Sequence, residues 1–265
     1  MLLKKILVIG GAGYIGSALV NELSREFDVS VFDKKYGDDL LDKKCLASVK
    51  GFDFVVNLAS VVRSFNKSKY EDNAEGLRNL IDFIGDGKLI YFSSFNVNLR
   101  DKGPYAKSKI WCEKILMKSK VDWAIVRPNY VYSISRRGDF YKMAVLAKRF
   151  GFVPVIGKGR NKIKPILREE LCKILAEIIK NFKSRKIIEI SGREKVSFNE
   201  IADIIGEVLN KRVRKIHFSF RLVKLFKFAL PFDVEGINED KISAGGFVGK
   251  SSFRNDLRRI VELVK

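Results

Sequence analysis

The sequence predicts an α/β protein with a doubly wound parallel sheet and a smaller second domain interleaved with it. Residues 5–9 form a short apolar, β-branched run that is typical of a buried parallel strand. A glycine-rich turn and a helical pattern follow at once, and further apolar runs then alternate with helical patterns. That alternation is the rhythm of βα units.

The turn after the first strand carries glycines three apart, at Gly10, Gly13 and Gly16. A strand that turns directly into a helix points backbone N–H groups and the positive end of a helix dipole outward, which suits a pyrophosphate. Gly10 permits the tight turn, Gly13 lets the backbone approach the phosphates, and Gly16 lets the helix pack close to the strand. The next strand, 28–32, leads into Asp33, whose carboxylate can bind both hydroxyls of an adenosine ribose. These features predict a Rossmann-like dinucleotide-binding domain.

The stretch after Asp33 is too short for the helix and strand that would normally follow, so the predicted sheet lacks one edge strand. The remaining elements of the first half are predicted as strands at 52–60, 88–92 and 123–128 and helices at 42–49, 70–84 and 105–118. Small residues at the end of the 52–60 strand suit close approach to a nucleotide.

From Ser133 onward, strand and helix patterns no longer alternate regularly. The pattern predicts helices at 140–150, 169–181, 197–209 and near the end of the chain after 251. It also predicts strands at 153–159 and 186–190, and we expect the second of these to be the last strand of the parallel sheet. The helix at 197 begins with a capping box formed by Ser197 and Glu200. We expect a dinucleotide domain of 1–133 plus about 186–192, and a substrate lobe of 134–185 and 193–265.

The composition is that of a globular protein without a membrane span. The chain has 265 residues, 46% of them hydrophobic, and no apolar run reaches transmembrane length. The amino end is a strand that the fold needs, so it is not expected to be a signal peptide. Cys45, Cys112 and Cys172 show no metal-ligand spacing and predict reduced thiols in the cytoplasm. The single histidine, His217, excludes a multi-histidine metal site, and we expect no metal.

The net charge of +20 is spread along the whole chain. It allows nucleic-acid binding, but no nucleic-acid motif accompanies it, so we favour anionic small molecules as ligands. The basic residues that are candidates for binding a pyrophosphate are Arg63, Arg136, Arg137, Lys158 and Arg160. The alternative is that these side chains form part of a solvated surface.

Tyr105 and Lys109 lie four residues apart, on one face of the 105–118 helix. A phenol is a poor proton donor or acceptor at neutral pH because its reference pKa is about 10. A neighbouring ammonium favours the phenolate, so Tyr105 could pass a proton to or from a hydroxyl while hydride moves at the adjacent carbon. Ser94, at the end of the preceding strand, would hold the same oxygen, and Lys109 would also bind the ribose next to the nicotinamide.

These residues and several other segments together resemble one family. The segments are Asp39-Leu40, Leu58-Ala59-Ser60, the helix from Asn73 to Leu80, Ser93-Ser94, the strand end from Arg127 to Tyr132, and Ile190-Ser191-Gly192. The chain is similar, over most of its length, to the extended short-chain dehydrogenase/reductases that act on nucleoside-diphosphate sugars.

The resemblance implies a Ser94, Tyr105 and Lys109 catalytic set and an NAD cofactor, with NADP as the alternative. The implied cofactor contacts are Gly10, Gly13, Tyr14, Ile15, Gly16, Asp33, Lys34, Asp39, Leu40, Leu58, Ala59, Ser60, Asn73, Tyr105, Lys109, Pro128 and Val131. The candidate substrate contacts are Arg63, Asn129, Arg136 and Arg160. Asp33 favours NAD because a carboxylate repels a 2′-phosphate, whereas Lys34 and Lys35 keep NADP open.

Two departures bear on the substrate. Only ten residues separate Ser94 from Tyr105, where the family usually carries a longer substrate loop, and Asn98-Leu99 replaces a common Tyr-Gly pair. These departures affect the expected substrate more than the redox chemistry. The resemblance implies an epimerase, dehydratase or 4-keto-sugar reductase of nucleotide sugars. The alternatives are a catalytically silent nucleotide-binding subunit and an enzyme of lipid-linked sugars.

The resemblance also implies a homodimer. Its interface would pair the helices 70–84 and 105–118 of two subunits through Leu77, Ile84, Ile110 and Leu116.

A further basic and aromatic stretch, 218–232, predicts a helix with Arg221, Lys224 and Lys227 along one side. That helix would either cover the core or lie on an anionic membrane surface.

Overall fold

The computed structural model describes residues 3–62, 64, 66–219, 239–243 and 245–265. Its strands are β1 Lys5–Ile9, β2 Asp28–Phe32, β3 Phe54–Asn57, β4 Lys88–Phe92, β5 Trp123–Pro128, β6 Val131–Tyr132, β7 Phe152–Ile156, β8 Lys162–Ile163, β9 Ile166–Leu167, β10 Lys186–Ser191, β11 Val196–Ser197, β12 Arg214–Phe218 and β13 Phe247–Val248. Its α-helices are α1 Gly16–Leu23, α2 Asp72–Phe83, α3 Pro104–Lys118, α4 Asp139–Phe150, α5 Arg168–Lys180, α6 Phe198–Leu209 and α7 Phe253–Glu262. None of the helices described is both long enough and apolar enough to span a bilayer.

The central sheet has seven strands in the order β2-β1-β3-β4-β5-β10-β13. Pairing from β2 through β5 is parallel. The strands β1 and β3 to β5 are almost wholly buried, as expected of strands covered on both faces. The predicted Rossmann-like, doubly wound class is confirmed. Among the described residues β2 forms one edge, in agreement with the predicted loss of an edge strand.

One face of this sheet packs against α2 and α3. The shared core includes Leu7, Val55, Leu89 and Ile125 from the strands and Leu77, Leu80, Cys112 and Leu116 from the helices. Leu77, Ile84 and Leu116 are at most 1% exposed within the single chain, so the prediction that they also form an intersubunit face is wrong. The large apolar side chains that α3 leaves exposed are Trp111 and Met117.

The chain divides into two compact units. Unit 1 contains Met1–Val97, Lys102–Pro128 and Leu171–Glu189, and unit 2 contains Asn98–Asp101, Asn129–Glu170 and Ile190–Lys265. The core of unit 2 gathers α4, α6, α7 and β7 around apolar side chains such as Phe140, Val155, Ile201 and Leu257.

The unit boundaries differ from the expected ones at α5, because the sequence predicts that residues 134–185 belong to the substrate lobe. Most of this helix falls in unit 1. Lys180 at its end pairs with Glu26 at 2.7 Å, and Phe182 just beyond it packs edge-on against Phe54 with ring centroids 5.4 Å apart.

Two other predictions need correction. The helix expected at 42–49 is a 3-10 turn, Cys45–Val49, because the Asp42 carboxylate accepts the Lys44 N–H at 2.9 Å and favours a turn there. The strand β10 is not the last of the sheet, because Phe247 and Val248 pair with Ile190 and Ser191 beyond it.

The predicted helix at 218–232 begins on described residues and then leaves them. Phe218 ends the strand β12, so the helix does not start there. Residues 220–238, which contain Arg221, Lys224 and Lys227, lie outside the described part of the chain.

Candidate active site

The turn between β1 and α1 fits the space left for it only because glycine occupies its most crowded positions. Gly10 has φ +79°, and a Cβ placed on it would lie 2.9 Å from the Ala59 nitrogen. A Cβ on Gly16 would lie 2.1 Å from the Gly10 carbonyl oxygen, at the start of α1. The bare backbone therefore brings the helix terminus close to the strand ends, in the geometry that a pyrophosphate needs. Tyr14 is 43% exposed and Ile15 precedes the first residue of α1.

Asp33 is fixed at the end of β2 by backbone groups on both sides. Its carboxylate accepts the Ala12 N–H at 3.0 Å and the Lys35 N–H at 2.9 Å. The Asp33 N–H in turn donates to the Asp38 carboxylate at 3.1 Å. The carboxylate that we predicted for the ribose is therefore held against the glycine turn.

A cavity of about 340 Å³ opens beside Asp33 within unit 1. It is lined by the glycine turn, the ends of β1, β2 and β3, and the start of α2, with the residues Ile9, Gly10, Gly13, Phe32, Asp33, Lys34, Asp38, Asp39, Leu40, Leu41, Asn57, Leu58, Ala59, Ser60, Val61, Asp72 and Asn73. The structure thus brings ten predicted cofactor residues to one cavity, which are Gly10, Gly13, Asp33, Lys34, Asp39, Leu40, Leu58, Ala59, Ser60 and Asn73.

Lys34 is held by a carboxylate of the same cavity. Its ammonium lies 2.9 Å from Asp39. Burial tends to raise the pKa of Asp39, but the hydrogen bond from Lys34 and that from the Leu41 N–H outweigh it, and the pKa lies below its usual value. Lys34 therefore neutralises a neighbour and is not a free cation waiting for a 2′-phosphate.

Asn73 braces the wall of the cavity. Its side-chain oxygen accepts the Val61 N–H at 2.7 Å, and its amide donates to the Val61 carbonyl at 3.2 Å and to Ser108 Oγ at 3.1 Å. The segment after β3 is thereby tied to α2 and α3. The buried Ser60 hydroxyl, on a residue that lines the cavity, has no hydrogen-bond partner among the described residues.

Lys109 is buried at the carboxyl end of β4. It is 1% exposed, and its ammonium donates to the Phe92 carbonyl at 2.6 Å. The ammonium lies 4.7 Å from the Tyr91 ring centroid and 5.8 Å from that of Tyr105. Burial disfavours the charged form and lowers the pKa of Lys109 to about 8.

Ser94 directly precedes the 3-10 turn Phe95–Asn98, and its Oγ accepts the Asn96 N–H at 3.2 Å. Tyr105 occupies the first turn of α3, just after Pro104, whose fixed φ suits a helix start. Ser94, Tyr105 and Lys109 all belong to unit 1. Pro128, the buried last residue of β5, belongs to it as well.

The predicted substrate contacts that belong to the described residues fall in unit 2. Asn129 is 6% exposed, and its side chain bonds to the Lys241 carbonyl and the Tyr130 N–H, both at 2.8 Å, so it holds backbone together. Arg136 and Arg160 are exposed in unit 2, and Val131 pairs with Ile166 there. Arg63 lies outside the described residues.

Several groups of this region were missed from the sequence. Asp38, Asn57 and Asp72 line the cavity. Asn57 ends a parallel strand, and this position is the one signal that could have identified it. Glu113, which contacts Ser93 and Arg127, has no local signal, because its partners are 20 and 14 residues away.

The sheet order, the glycine turn and the acidic cavity define a dinucleotide-binding protein of the short-chain dehydrogenase/reductase class. A family model for the NAD dependent epimerase/dehydratase family matches residues 6–205, and the chain belongs to that family. The prediction of NAD as cofactor is confirmed with it.

Relatives and solved structures agree with this assignment. The N-acetyl-alpha-D-glucosaminyl-diphospho-ditrans,octacis-undecaprenol 4-epimerase of Escherichia coli O157:H7 is 23% identical over 252 residues, which cover 82% of this chain and 76% of the relative. The UDP-glucose 4-epimerase of Thermotoga maritima, solved with UDP-glucose, has a TM-score of 0.78 at 16% identity, with 97% of each chain covered. The dTDP-glucose 4,6-dehydratase of Streptomyces venezuelae, solved with NAD, has a TM-score of 0.76 at 21% identity, covering 97% of this chain and 96% of the other.

The buried ammonium predicts a pH dependence of stability. The pKa of Lys109 is about 8 in the folded protein and 10.5 as the reference value, so the unfolded chain binds more protons between these pH values. Wild-type stability relative to Lys109→Met should therefore rise as pH increases from about 8 to 10.5, by roughly 3 kcal/mol in total. Urea unfolding of both proteins across this range measures it.

The matched control is Lys107→Met, an exposed lysine on the same helix, whose difference from wild type should stay flat. A flat difference for Lys109→Met as well would mean that Lys109 keeps an ordinary pKa.

The Asp33 carboxylate, which directly follows β2, predicts a preference for NAD over NADP. Asp33→Ala should weaken NAD binding about tenfold or more and narrow the gap between NAD and NADP, because it removes both a charged acceptor and a repulsive charge. Titration of wild type and variant with each dinucleotide, followed by fluorescence or calorimetry, gives the four affinities. Asp28→Ala, at the exposed beginning of the same strand, is the control. A wild-type preference for NADP would contradict the assignment.

Proposed function

We propose that this protein is an NAD-dependent enzyme that acts on a nucleoside-diphosphate sugar, as an epimerase, dehydratase or 4-keto-sugar reductase. The observation that carries the proposal is the buried Lys109 ammonium, 5.8 Å from the Tyr105 ring and next to the strand end that bears Ser94. Burying an ammonium costs stability, so its presence needs a compensating role. A catalytically silent subunit would have no use for this arrangement.

In the proposed reaction Tyr105 Oη takes a proton from, or returns it to, a hydroxyl of the sugar. The Lys109 ammonium favours the phenolate form of Tyr105, and Ser94 Oγ hydrogen-bonds the reacting oxygen. NAD, when bound, supplies reversible hydride transfer at the carbon that bears this oxygen. Because Lys109 has a pKa of about 8, its amine is mostly protonated at neutral pH. It loses the proton, and with it the positive charge, as pH rises above about 8.

The groups around the cavity support NAD over NADP in this function. The Ala12 N–H donates to the Asp33 carboxylate and fixes its orientation, and the Lys34 ammonium forms an ion pair with Asp39. A 2′-phosphate would meet carboxylates where NAD presents hydroxyls. The other cofactor contacts proposed here are the glycine turn and the wall from Leu58 to Ser60.

A second candidate substrate is a sugar diphosphate carried on a lipid. The Escherichia coli relative is named for such a substrate, an undecaprenol-linked sugar. Unit 2 also exposes apolar side chains on β12 and at the end of α4: Phe150 is 57% exposed, Ile216 39% and Phe218 37%. Arg149, over the Phe150 ring, and Arg214 are exposed beside them, a combination that suits an anionic lipid surface.

We also propose a homodimer, as the family resemblance implies. Leu77, Ile84 and Leu116 are buried within one chain, so the interface would rely on side chains that α2 and α3 leave exposed. Trp111, stacked under the Arg78 guanidinium at 5.0 Å, and Met117 are of this kind.

The phenol assignment predicts a selective loss of turnover. Tyr105→Phe should lower kcat at least about 100-fold while NAD affinity stays within a few-fold, because only the proton-transferring oxygen is removed. Turnover is measured on UDP- and dTDP-hexoses, and NAD affinity by titration. Tyr36→Phe, an exposed tyrosine, serves as the matched control. Near-normal turnover of Tyr105→Phe would disprove the assignment.

The lipid-linked alternative predicts binding to anionic vesicles. Co-sedimentation at low salt should be reduced about tenfold or more by Arg149→Glu/Arg214→Glu, since each basic group near an anionic surface contributes about 1 kcal/mol. Lys43→Glu/Lys44→Glu makes the same change of net charge in unit 1 and should bind like wild type. Equal loss in both double variants would point to net charge alone, and absence of wild-type binding would reject the alternative.

A further inference from the structure

Glu113 is a buried carboxylate that lies directly behind the proposed catalytic pair. It follows Tyr105 and Lys109 on α3 at intervals of four residues, so the three share one side of the helix. Glu113 is 3% exposed. A buried charge of this kind persists only where partners compensate for its lost hydration.

Three short hydrogen bonds provide that compensation. Ser93 Oγ donates to Glu113 Oε1 at 2.5 Å, and Arg127 donates through Nε to Oε1 at 2.9 Å and through Nη2 to Oε2 at 2.6 Å. The pairing with Glu113 raises the pKa of Arg127 above its usual value. This two-pronged guanidinium–carboxylate geometry fixes direction as well as distance.

The partners of Glu113 stand next to the positions that matter for the proposed function. Ser93 precedes Ser94 and continues β4 through its N–H bond to the Val126 carbonyl at 2.8 Å. Arg127 precedes Pro128 at the end of β5. One carboxylate therefore joins α3 to the carboxyl ends of two neighbouring strands.

We propose that Glu113 is a positioning residue, which sets the orientation of the Tyr105 and Lys109 helix relative to Ser94. The inference rests on the proposed function. It assigns to Glu113 no contact with substrate or cofactor. A helix that carries two reacting side chains must be held to a fraction of an ångström, because small displacements cost large factors in rate.

Glu113 also affects the charge state of Lys109. The groups that face Lys109 are Tyr91 from β4 and Tyr105, Cys112 and Glu113 from α3. Burial lowers the pKa of Lys109, whereas Cys112 and Glu113 favour its protonated form. If Glu113 loses its charge, one of these two contributions is lost and the pKa of Lys109 falls further.

The central variant is Glu113→Gln, which keeps shape but removes the charge. We expect kcat to fall about 10-fold to 100-fold, KM to stay within about threefold, and the upper limb of the kcat–pH profile to move down by about half a unit or more. The Lys109 titration is followed independently by NMR of protein labelled with ¹³C at lysine Cε, with Lys109→Met identifying its signal. NAD affinity should change little.

Two further variants separate positioning from stability. Glu113→Asp keeps the charge but cannot span Ser93 and Arg127 together, so kcat should fall while the Lys109 titration stays near wild type. Glu113→Gln/Arg127→Met removes both charges and should regain most of the lost thermal stability, as replaced ion pairs often do, without regaining kcat. This double variant and Glu113→Asp keep the test decisive if Glu113→Gln alone does not fold.

The matched control is Asp53→Asn. Asp53 accepts the Lys5 N–H at 2.7 Å at the amino ends of the strands, so the variant removes a carboxylate charge from a hydrogen bond of unit 1. The kcat of Asp53→Asn and the Lys109 titration in that variant should equal those of wild type.

If folded Glu113 variants show wild-type kcat, or if the Lys109 titration is the same in Glu113→Gln as in wild type, the proposal is wrong. If wild type turns over no sugar nucleotide, the proposed function fails, while the NMR titration still decides whether Glu113 controls Lys109.

Discussion

Burial of the Lys109 ammonium is the constraint to which the rest of unit 1 is adapted. An ammonium that is 1% exposed needs a carbonyl, an aromatic face or a carboxylate for each direction in which water is missing. The Phe92 carbonyl and the Tyr91 ring fill two of these directions. Glu113 supplies negative charge one turn further along the helix. The strand ends, the helix register and the ion pair with Arg127 are therefore parts of one electrostatic arrangement.

The second organising feature is a segment held in place before any ligand arrives. Asn73 uses its whole amide to tie the chain after β3 to α2 and α3, and Asp33 is fixed by the N–H groups of Ala12 and Lys35. A dinucleotide that binds here loses little affinity to ordering of the protein, since the wall is already formed. Such pre-organisation fits the family to which the chain belongs.

The fold was predictable where its signals are local. The glycine spacing, the apolar runs of β1 to β5 and the capping box of Ser197 and Glu200 each lie within a few residues, and the structure contains all of them. The helix expected at 42–49 failed because a side chain of Asp42 captured the backbone, and β13 was missed because its two residues pair across a long separation. The site likewise contains residues with local sequence signals and residues whose partners are distant in sequence. Residues of the cavity followed from the strand ends, whereas Glu113 depends on partners in two other elements. Ser94, Tyr105 and Lys109 stay predictions for catalysis.

The cavity beside Asp33 is acidic in a protein whose net charge is +20. The two signs act at different ranges. The overall positive field extends about a Debye length into solution and speeds the arrival of any anionic nucleotide, so association should slow as ionic strength rises. The carboxylates act only over contact distance, after the nucleotide has arrived. Speed of capture and choice of cofactor are thus governed by separate sets of charges, and evolution can change either one without disturbing the other.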